Sequence, residues 1–527
     1  MKYNLKNSIF ALVATSALLI GCSKENVPDT KNVAGSAKIP ELKAAEVDPG
    51  DASAVYDGFL RAYLVRSGGQ TYFTNSITDR RRVFMWGQGY VITGIEDFYD
   101  RTKRGDVKQL VTDLLNTFIA NEITPDPNKN LAWDSWNDDL EWAIIALIRG
   151  YQITGNTAFR DAAVTNWNVV YNRGWDGTYG GGIWEDQNQI PNGGKNSLSN
   201  YPQIIAGYMI YNSTGNTDIL NKCKLIYDWS RSHLFNTSTG RIYENWGPNG
   251  QNTNPDDNVY NNGLFVNAAN GLYQIAKTAQ YLSDAKLAAT HTMNLFPILN
   301  QDKPANGEFG ADQFVRGLAL LASQNNLWGT YGPYLANQAN AAWSSRRTDY
   351  NISWNKWTTP TTTGDVTSME TVSALSVQAV TPIGVSVSLN SGIYKIINRS
   401  TGQALDCKAG GTANNTQLIQ NPYNGGNNQR WTLSYLGNFQ YKLINVGSGR
   451  SIDVAAGSIG DGVNLILYDY SGATNQRFYL TSPASGYYSL IFVHSGKTVD
   501  LSGADNLSII QWGYHAGTNQ EWQFVAL

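Results

Sequence analysis

The sequence is poor in charge, which bounds the partners it can have. Of 527 residues, 15% are charged, and the formal net charge is -3 at pH 7. A nucleic-acid-binding protein needs a concentrated basic face, and this balance argues against one. We therefore expect no nucleic-acid partner.

Cysteine and histidine are also scarce. Beyond the N-terminal region only Cys223 and Cys407 occur, in segments of different character, so they predict neither a disulfide framework nor a metal site. The histidines show no metal-ligand spacing. We expect no metal, no cofactor and no catalysis by a Ser/His or Cys/His pair. The four histidines are His233, His291, His494 and His515.

Aromatic and amide side chains are abundant instead, with 16 Trp and 30 Tyr among many Asn, Gly and Thr residues. Sugars need apolar faces to stack on and amides or carboxylates to bind their hydroxyls. Other kinds of binding protein share this composition. It favours a polysaccharide partner.

The N-terminus has the pattern of an export signal. Lys2 and Lys6 precede a mostly apolar run too short to span a membrane comfortably. The run ends in Leu19-Ile20-Gly21-Cys22, which resembles the bacterial lipobox, so Cys22 is the predicted lipidation site. The alternative is an ordinary signal peptide over residues 1–22 with an incidental cysteine.

The polar residues 23–48 read as a flexible tether. Ser23 would be the second mature residue, which resembles lipoproteins sent to an outer membrane. We expect an exported outer-membrane lipoprotein on the periplasmic or cell-surface side. It would contact the membrane through the lipid anchor only.

Residues 49–382 show helical periodicity interrupted by Gly/Asn/Thr-rich loops. The segment Tyr151–Asn156 recurs as Tyr211–Asn216, with a degenerate third copy at Tyr273–Thr278. Each copy ends one apolar helix and begins another, so the repeat unit is a helical hairpin. This length of hairpins predicts an all-α (α/α)6 toroid. An open solenoid is the alternative.

After a short linker at residues 383–390, residues 391–527 change to short β-strands between Gly/Asn turns. Three evenly spaced aspartates, Asp406, Asp453 and Asp500, are each followed by a Gln-x-aromatic element. Threefold repetition predicts an all-β trefoil. The segment resembles the ricin-type lectin family.

In that family an Asp, an aromatic residue and an Asn of each repeat bind one sugar. The resemblance implies a complete set in all three repeats, which would raise avidity for a polymer. The alternative is that these residues order the turns. The implied sets are Asp406, Tyr423 and Asn428; Asp453, Tyr470 and Asn475; and Asp500, Tyr514 and Asn519.

A carboxylate-rich segment, Trp133–Trp142, opens one of the apolar helices and contains the adjacent pair Asp138 and Asp139. Helix capping explains part of it, because Asn and Asp stabilise a first turn. Three capping-type residues in a row exceed the need of one cap. The pattern by itself leaves capping and catalysis both open.

Four segments in order resemble glycoside hydrolase family 76, whose members are α-1,6-mannanases of (α/α)6 fold. The resemblance implies a retaining hydrolase with Asp138 as nucleophile and Asp139 as general acid/base. The segments are Asp138–Gln152, Gly180–Trp184, Lys195–Asn200 and Tyr260–Gly263.

The implied chemistry is physically reasonable for neighbouring residues. A retaining mechanism needs carboxyl groups about 5–5.5 Å apart, whereas an inverting pair needs about 6.5–9.5 Å. Two Cα atoms about 3.8 Å apart can place side chains at the shorter separation. Repulsion between close carboxylates should also raise one pKa and keep one acid protonated.

Further side chains are expected to bind substrate. Tryptophans offer stacking faces and asparagines bind hydroxyls, although the same residues can form core or cap turns. A second acidic pair, Asp256 and Asp257, reads as a solvated turn. The expected substrate-binding residues are Trp86, Trp136, Trp184, Asn196, Asn200, Tyr260 and Asn261.

We therefore predict a monomeric endo-α-1,6-mannanase that cuts mannan backbones while the trefoil holds the polymer. One alternative is an (α/α)6 glycosidase or transglycosylase of other specificity. A uronyl-active enzyme is disfavoured because the loop 175–200 has a single cation, Lys195. Another alternative is a non-catalytic glycan-binding lipoprotein.

Overall fold

The computed structural model describes residues 47–48, 50–251, 257–299, 310–384 and 389–527. The predicted signal peptide, Cys22, all but the end of the tether, and part of the linker lie outside these residues. No helix among the described residues is long and apolar enough to cross a membrane.

Twelve α-helices lie within the described part of residues 50–384. They alternate between an outer and an inner layer, as expected for successive helical hairpins. The helices are α1 (Asp51–Tyr63), α2 (Met85–Thr102), α3 (Gly105–Phe118), α4 (Asn137–Thr154), α5 (Thr157–Gly174), α6 (Ser197–Thr214), α7 (Thr217–His233), α8 (Val259–Ala276), α9 (Ala279–Leu295), α10 (Ala311–Gln324), α11 (Trp328–Ser344) and α12 (Ser368–Val380).

The six even-numbered helices form a closed inner ring. Each packs against the next, and α12 returns to pack against α2. Inner helices are buried nearly all round: every residue of α8 from Val259 to Leu272 is buried. The closure confirms the toroid and excludes the open solenoid.

The repeated Thr-Gly-Asn sequence has a local structural cause. Gly155 and Gly215 end α4 and α6 in the left-handed conformation, which glycine adopts at little cost. The next residue, Asn156 or Asn216, then caps the following helix by accepting a backbone N–H bond. In the degenerate copy Lys277 takes the left-handed position.

The inner helices run parallel, and a buried ion network joins α2, α4 and α10. Arg316 and Arg149 place Nη2 atoms 2.7 and 2.9 Å from the two carboxylate oxygens of Asp97. Pairing of this kind offsets the large cost of burying charge. Arg149, part of the family-like segment, therefore holds the ring together.

Short antiparallel strands decorate the helical domain. They form a hairpin and a three-stranded sheet in the order β3-β4-β5. Their bounds are β1 (Leu64–Ser67), β2 (Gln70–Phe73), β3 (Lys195–Asn196), β4 (Asn245–Gly247) and β5 (Gly250–Gln251).

Residues 389–527 fold as the predicted trefoil. Strands β6, β9, β10, β13, β14 and β17 pair in sequence, and β17 returns to β6, so the barrel closes. The other six strands form three hairpins. The strands are β6 (Gly392–Asn398), β7 (Ala404–Cys407), β8 (Leu418–Asn421), β9 (Trp431–Gly437), β10 (Gln440–Asn445), β11 (Ser451–Val454), β12 (Val463–Tyr468), β13 (Phe478–Ala484), β14 (Tyr487–Phe492), β15 (Thr498–Leu501), β16 (Ile509–Trp512) and β17 (Trp522–Ala526).

The repeated aromatic residues Trp431, Phe478 and Trp522 are fully buried in one trefoil core. The substitution of Phe478 for tryptophan in the second repeat therefore alters the core only.

The trefoil packs against the helical domain at the C-terminal end of the inner ring. A Cβ built on Gly496 would lie 2.6 Å from the carbonyl oxygen of Arg101, at the end of α2. A Cβ built on Gly332 in α11 would lie 3.1 Å from the ring of Phe439. Asp138 and Asp139 lie at the opposite, N-terminal end of the ring, in the first turn of α4.

Candidate active site

A long loop after α5 is fixed over the start of α4. The backbone N–H of Asn137 donates to the carbonyl oxygen of Glu185 over 2.7 Å. Its side-chain Nδ2 donates to the carbonyl oxygen of Trp184 over 2.7 Å. Asn137 therefore holds this loop beside the first turn of α4, next to the two aspartates.

Asp138 is buried, with 9% of its surface exposed. Burial first, and then the charge of Glu185, raise the pKa of Asp138 to about 8. Asp139 is more exposed. Burial, followed by the charges of Asp138 and Asp134, raises the pKa of Asp139 to about 9. At neutral pH the raised pKa values keep at least one of the two carboxyl groups protonated.

Asp134 lies beside Asp139, close enough for a hydrogen bond between the two carboxyl groups to raise the pKa of Asp139. Two carboxyl groups can share such a bond only when one is protonated. The backbone N–H of Trp136 donates to Oδ1 of Asp134 over 3.0 Å, which holds Asp134 in place. The proton is therefore favoured at Asp139.

Carboxylates dominate the charge of the site. Glu185, with a pKa raised chiefly by burial, is close enough to Asp138 to raise its pKa. Glu244 contributes negative charge beside Glu185. Fully buried Glu141 lies one turn below Asp138 in α4, and burial raises its pKa well above its ordinary value.

The nearby cations are engaged elsewhere. Nζ of Lys195 lies 2.7 Å from Oδ1 of Asp176 and donates to backbone carbonyls of the loop. Arg173 donates to Oδ1 of Asn137 and to the carbonyl oxygen of Asp134. Both therefore hold the loop and the start of α4. No group of His, Cys, Asp and Glu side chains in the described residues could hold a metal ion.

Three of the predicted binding residues lie at the site with different exposure. Trp136, immediately before α4, is 39% exposed and offers a stacking surface. Trp86, in the first turn of α2, is half-buried against Tyr90. Tyr260 is buried, and the charges of Glu244, Glu185 and Asp138 help to raise its pKa, which places it beside the aspartates.

Asn196 and Asn261 lie at the N-terminal ends of α6 and α8. The side chain of Asn196 hydrogen-bonds Glu185. The Oδ1 atoms of both asparagines are buried and have no hydrogen-bond partner among the described residues. Their position is compatible with the predicted binding of hydroxyls, which stays a prediction.

The structure corrects two of the predicted substrate contacts. Trp184 is fully buried, its Nε1 donates to Asp176, and Nζ of Lys195 lies over its ring. Asn200 is fully buried and exchanges hydrogen bonds with the backbone of Ile183. Both residues shape the loop from within, so neither is available to contact a sugar.

The other carboxylates of the site were not among the residues predicted from the sequence. Glu185 directly follows the Gly180–Trp184 segment, and Asp134 and Glu141 flank the aspartate pair within Trp133–Trp142. Because these three residues adjoin or lie within those segments, their positions in the sequence could have indicated them as site residues. Nothing local indicated Glu244, because residues distant in sequence bring it beside Glu185.

The second acidic pair has a different environment. Asp257 lies 3.5 Å from Nε of Arg241 and 3.1 Å from Nε2 of His291. Asp256 lies outside the described residues. Pairing with Arg241 distinguishes Asp257 from Asp138 and Asp139, which form no salt bridge among the described residues.

The predicted lectin aspartates and asparagines are hydrogen-bonded to each other in all three repeats. Asp406 accepts from Asn428 and Gln429, and Asp453 accepts from Asn475 and Gln476. In the third repeat Asp500 accepts from Asn519 and Gln520. The tyrosines Tyr423, Tyr470 and Tyr514 are partly exposed. Whether these clusters bind sugar stays a prediction.

Comparisons with known proteins agree with both domains. The sequence model of glycosyl hydrolase family 76 matches residues 50–384, and that of the ricin-type β-trefoil lectin domain-like family matches residues 383–468 and 474–527. No curated protein matches the chain.

Solved structures resemble the helical domain. The GH76A α-1,6-mannanase of Salegentibacter sp. HEL1_6 is 22% identical, with a TM-score of 0.57, covering 63% of this chain and 99% of its own. An inactive variant of it, with two adjacent aspartates changed to asparagine, was solved with α-1,6-mannotriose at 21% identity, a TM-score of 0.57 and coverage of 63% and 99%. A family 76 mannosidase of Bacteroides thetaiotaomicron is 20% identical, with a TM-score of 0.55 and coverage of 63% and 96%.

At these identities the solved structures show the fold alone. The family match is stronger, because it extends over most of the chain and contains the acidic site at the N-terminal end of the inner ring. The chain belongs to glycosyl hydrolase family 76 and has a ricin-type trefoil domain at its C-terminal end.

Proposed function

We propose that this protein is a retaining endo-α-1,6-mannanase that hydrolyses mannan backbones. The observation that carries the proposal is the adjacent pair Asp138 and Asp139, whose pKa values are raised to about 8 and 9 in an acidic site. An acid that stays protonated near neutral pH is what general acid catalysis requires.

In the first step the Asp138 carboxylate attacks the anomeric carbon, and Asp139 gives its proton to the departing glycosidic oxygen. The C–O bond breaks and a glycosyl ester of Asp138 forms. In the second step Asp139, now ionised, takes a proton from water, whose oxygen attacks the anomeric carbon. The ester bond breaks, and two inversions give net retention.

The structure supports this division of roles. Asp139 is the more exposed aspartate, and the charges of Asp138 and Asp134 beside it favour its protonated form. An acid/base must also reach the leaving group and the incoming water. The buried carboxyl of Asp138 suits a nucleophile that attacks a substrate placed against it.

A neutral sugar fits the charge of the site. The loop cation Lys195 is fully buried and paired with Asp176, so it is not available for a substrate carboxylate. The carboxylates around Asp138 would also repel a uronyl group. Mannan is proposed because the related solved structures are described as α-1,6-mannanases.

We propose that the trefoil targets the enzyme to polysaccharide. Export, lipidation at Cys22 and attachment to an outer membrane are proposed from the sequence alone, because Cys22 lies outside the described residues. A monomer is likewise proposed. The lipid anchor would be the protein's contact with the membrane.

The test is hydrolysis of debranched α-1,6-mannan by the protein and by its Asp138→Asn and Asp139→Asn variants, with products followed by chromatography and early anomeric NMR. Short oligosaccharides appearing first as the α-anomer, and absent with both variants, are expected. Asp257→Asn is the matched control and should retain activity, because Asp257 is paired with Arg241 and His291.

Product appearing first as the β-anomer would show inversion and refute the assigned roles. Transfer of mannosyl units to added acceptors in preference to water would identify a transglycosylase. Absence of cleavage with retained binding would indicate a glycan-binding protein.

A further inference from the structure

The third trefoil repeat differs from the other two at its carboxylate. Asp406 and Asp453 each accept hydrogen bonds from one Asn and one Gln side chain. A carboxylate has about four acceptor positions, so both keep capacity for sugar hydroxyls. Asp500 has the same two donors, and in addition Nε2 of His515 lies 3.3 Å from its Oδ2.

The residue in the place of His515 is Asn424 in the first repeat and Ser471 in the second. In all three repeats the backbone N–H of this residue donates to the side chain of the equivalent glutamine. These glutamines are Gln429, Gln476 and Gln520. The three repeats therefore share this backbone hydrogen bond, and only the third repeat has an imidazole at this position. This imidazole gives Asp500 a third side-chain partner, which the aspartates of the other two repeats lack among the described residues.

The predicted stacking residues differ as well. Nζ of Lys395 lies 4.7 Å from the ring centre of Tyr423, and Nζ of Lys442 lies 4.3 Å from that of Tyr470. A lysine over one face leaves the other face for a sugar ring. The third repeat has Ser489 at the lysine position, and Ser489 is buried.

Tyr514 instead faces the helical domain. A Cβ built on Gly50, immediately before α1, would lie 3.8 Å from two atoms of its ring. Tyr514 also lines a cavity of about 890 Å³ between the two domains. The helical domain contributes Ser53, Arg104 and Asp106 to the lining of this cavity, so a glycan entering it beside Tyr514 would lie between the two domains.

One glycine occurs at the same position of each repeat, and each has a positive φ of 65–70°. A Cβ on Gly402 or Gly449 would meet nothing within 4 Å, whereas one on Gly496 would lie 2.6 Å from the carbonyl oxygen of Arg101. The turn that is open in two repeats is therefore in contact with α2 in the third.

We propose that the trefoil is a bivalent lectin, in which the first and second repeats bind glycan and the third serves as the surface that docks the helical domain. The partner of the third repeat is the chain's own helical domain, at the end of the toroid opposite Asp138 and Asp139. This inference rests on the proposed glycan binding by the trefoil. It assigns that binding to the Tyr423 and Tyr470 clusters.

The test is affinity electrophoresis of the full chain in native gels containing α-mannan, galactomannan or arabinoxylan. Every sample carries Asp138→Asn and Asp139→Asn, so that the polymer stays intact. The matched variants are Tyr423→Ala, Tyr470→Ala and Tyr514→Ala. The double variant Tyr423→Ala/Tyr470→Ala gives the baseline, which includes any binding by the catalytic cleft.

In at least one gel the parent should be retarded more than this baseline. Tyr423→Ala and Tyr470→Ala should each weaken binding by about tenfold or more, because loss of one of two linked sites removes avidity. Tyr514→Ala should bind within about twofold of the parent. If thermal unfolding shows that Tyr514→Ala is not folded, Asp500→Asn replaces it with the same expected result.

Weakening by Tyr514→Ala or Asp500→Asn comparable to that of Tyr423→Ala would overturn the proposal, because the third site would then bind glycan. Migration of the parent at the baseline in all three gels would also overturn it, since no lectin site would be at work. Hydrolysis by the protein without the two Asp→Asn changes is measured separately. Failure of the lectin proposal is thereby distinguished from failure of the proposed mannanase activity.

Discussion

The backbone N–H of Asn137 donates a 2.7 Å hydrogen bond to the carbonyl oxygen of Glu185. This bond joins the residue before the aspartate pair to the loop after α5. A whole helix, α5, separates the two in sequence. The bond fixes the backbone of Glu185 at a position from which the Glu185 carboxylate raises the pKa of Asp138. The charge of the aspartate pair therefore depends on a residue outside the helix that contains it.

Glu185→Gln should shift the pH-activity profile to lower pH. Removing the negative charge makes ionised Asp138 less unfavourable, so the pKa of Asp138 falls and the pH range of activity moves down with it. The expected displacement is about 0.5 to 1 on the pH scale. Initial rates on debranched mannan between pH 4 and 10 measure it, with exposed Asp161→Asn as the control. An unmoved profile would contradict the electrostatic role of Glu185.

Asp138→Asn should stabilise the fold at alkaline pH while abolishing activity. Burial raises the pKa of Asp138 from 3.8 to about 8 in the folded protein. The folded state then binds the proton more tightly than the unfolded state, so stability falls as pH rises from about 4 towards 8. Asparagine removes this dependence.

The expected gain at pH 8 is about 1 to 3 kcal/mol, or a few degrees in Tm, and it should shrink towards pH 4. Thermal unfolding at pH 4.5 and 8 provides the comparison. Asp257→Asn is the control and should destabilise, because it removes the partner of Arg241 and His291. An equal gain at both pH values would show that ionisation is not its cause.

Trp136→Ala should raise KM for mannooligosaccharides with a smaller effect on kcat. Loss of one stacking surface is worth about 1 to 2 kcal/mol, roughly 5- to 30-fold in affinity. Trp184→Phe provides the contrast, because Trp184 is buried and bonded to Asp176. It should lower Tm and leave KM nearly unchanged. Equal effects of the two changes on KM would remove Trp136 from the binding surface.

Gly496→Ala should weaken the contact between the domains, and Gly449→Ala should not. Both changes place a side chain at positive φ, which costs about 1 kcal/mol in either case. The alanine at position 496 also meets the carbonyl oxygen of Arg101 at 2.6 Å, whereas position 449 is open.

The two variants are compared in Tm and in susceptibility to proteolysis at the domain junction. The difference between them measures the contact of position 496 with Arg101. Both variants should cleave short mannooligosaccharides at the parent rate, since the junction and Asp138 lie at opposite ends of the toroid. Identical behaviour in the unfolding and proteolysis measurements would argue against a tightly packed junction.

Several features of the site were predictable because local sequence determines them. Asp138 and Asp139 lie in the first turn of a helix, where adjacent carboxylates are both favoured and close together. Trp136 directly before that helix is exposed, which its predicted stacking role requires, and that role stays a prediction. Position relative to one helix end was sufficient for these residues.

The two corrected predictions fail for a nonlocal reason. Trp184 and Asn200 have side chains suited to sugar binding, and their segments resemble those of the family. Their burial follows from how the loop after α5 folds back onto α4 and α6, with Asn200 bonded to Ile183 and Trp184 enclosed by Lys195 and Asp176. Residue type and spacing contain no measure of that enclosure.

The sequence by itself determined the two domain types, because each is built from a repeat whose turns and caps are local: Gly155 and Gly215 end helices, and Asn156 and Asn216 begin the next ones. Only the tertiary structure decided that Glu185 faces Asp138 and that Gly496 packs on Arg101. Those pairs are distant in the chain, and their contacts arise from ring closure and domain packing, which nonlocal burial drives.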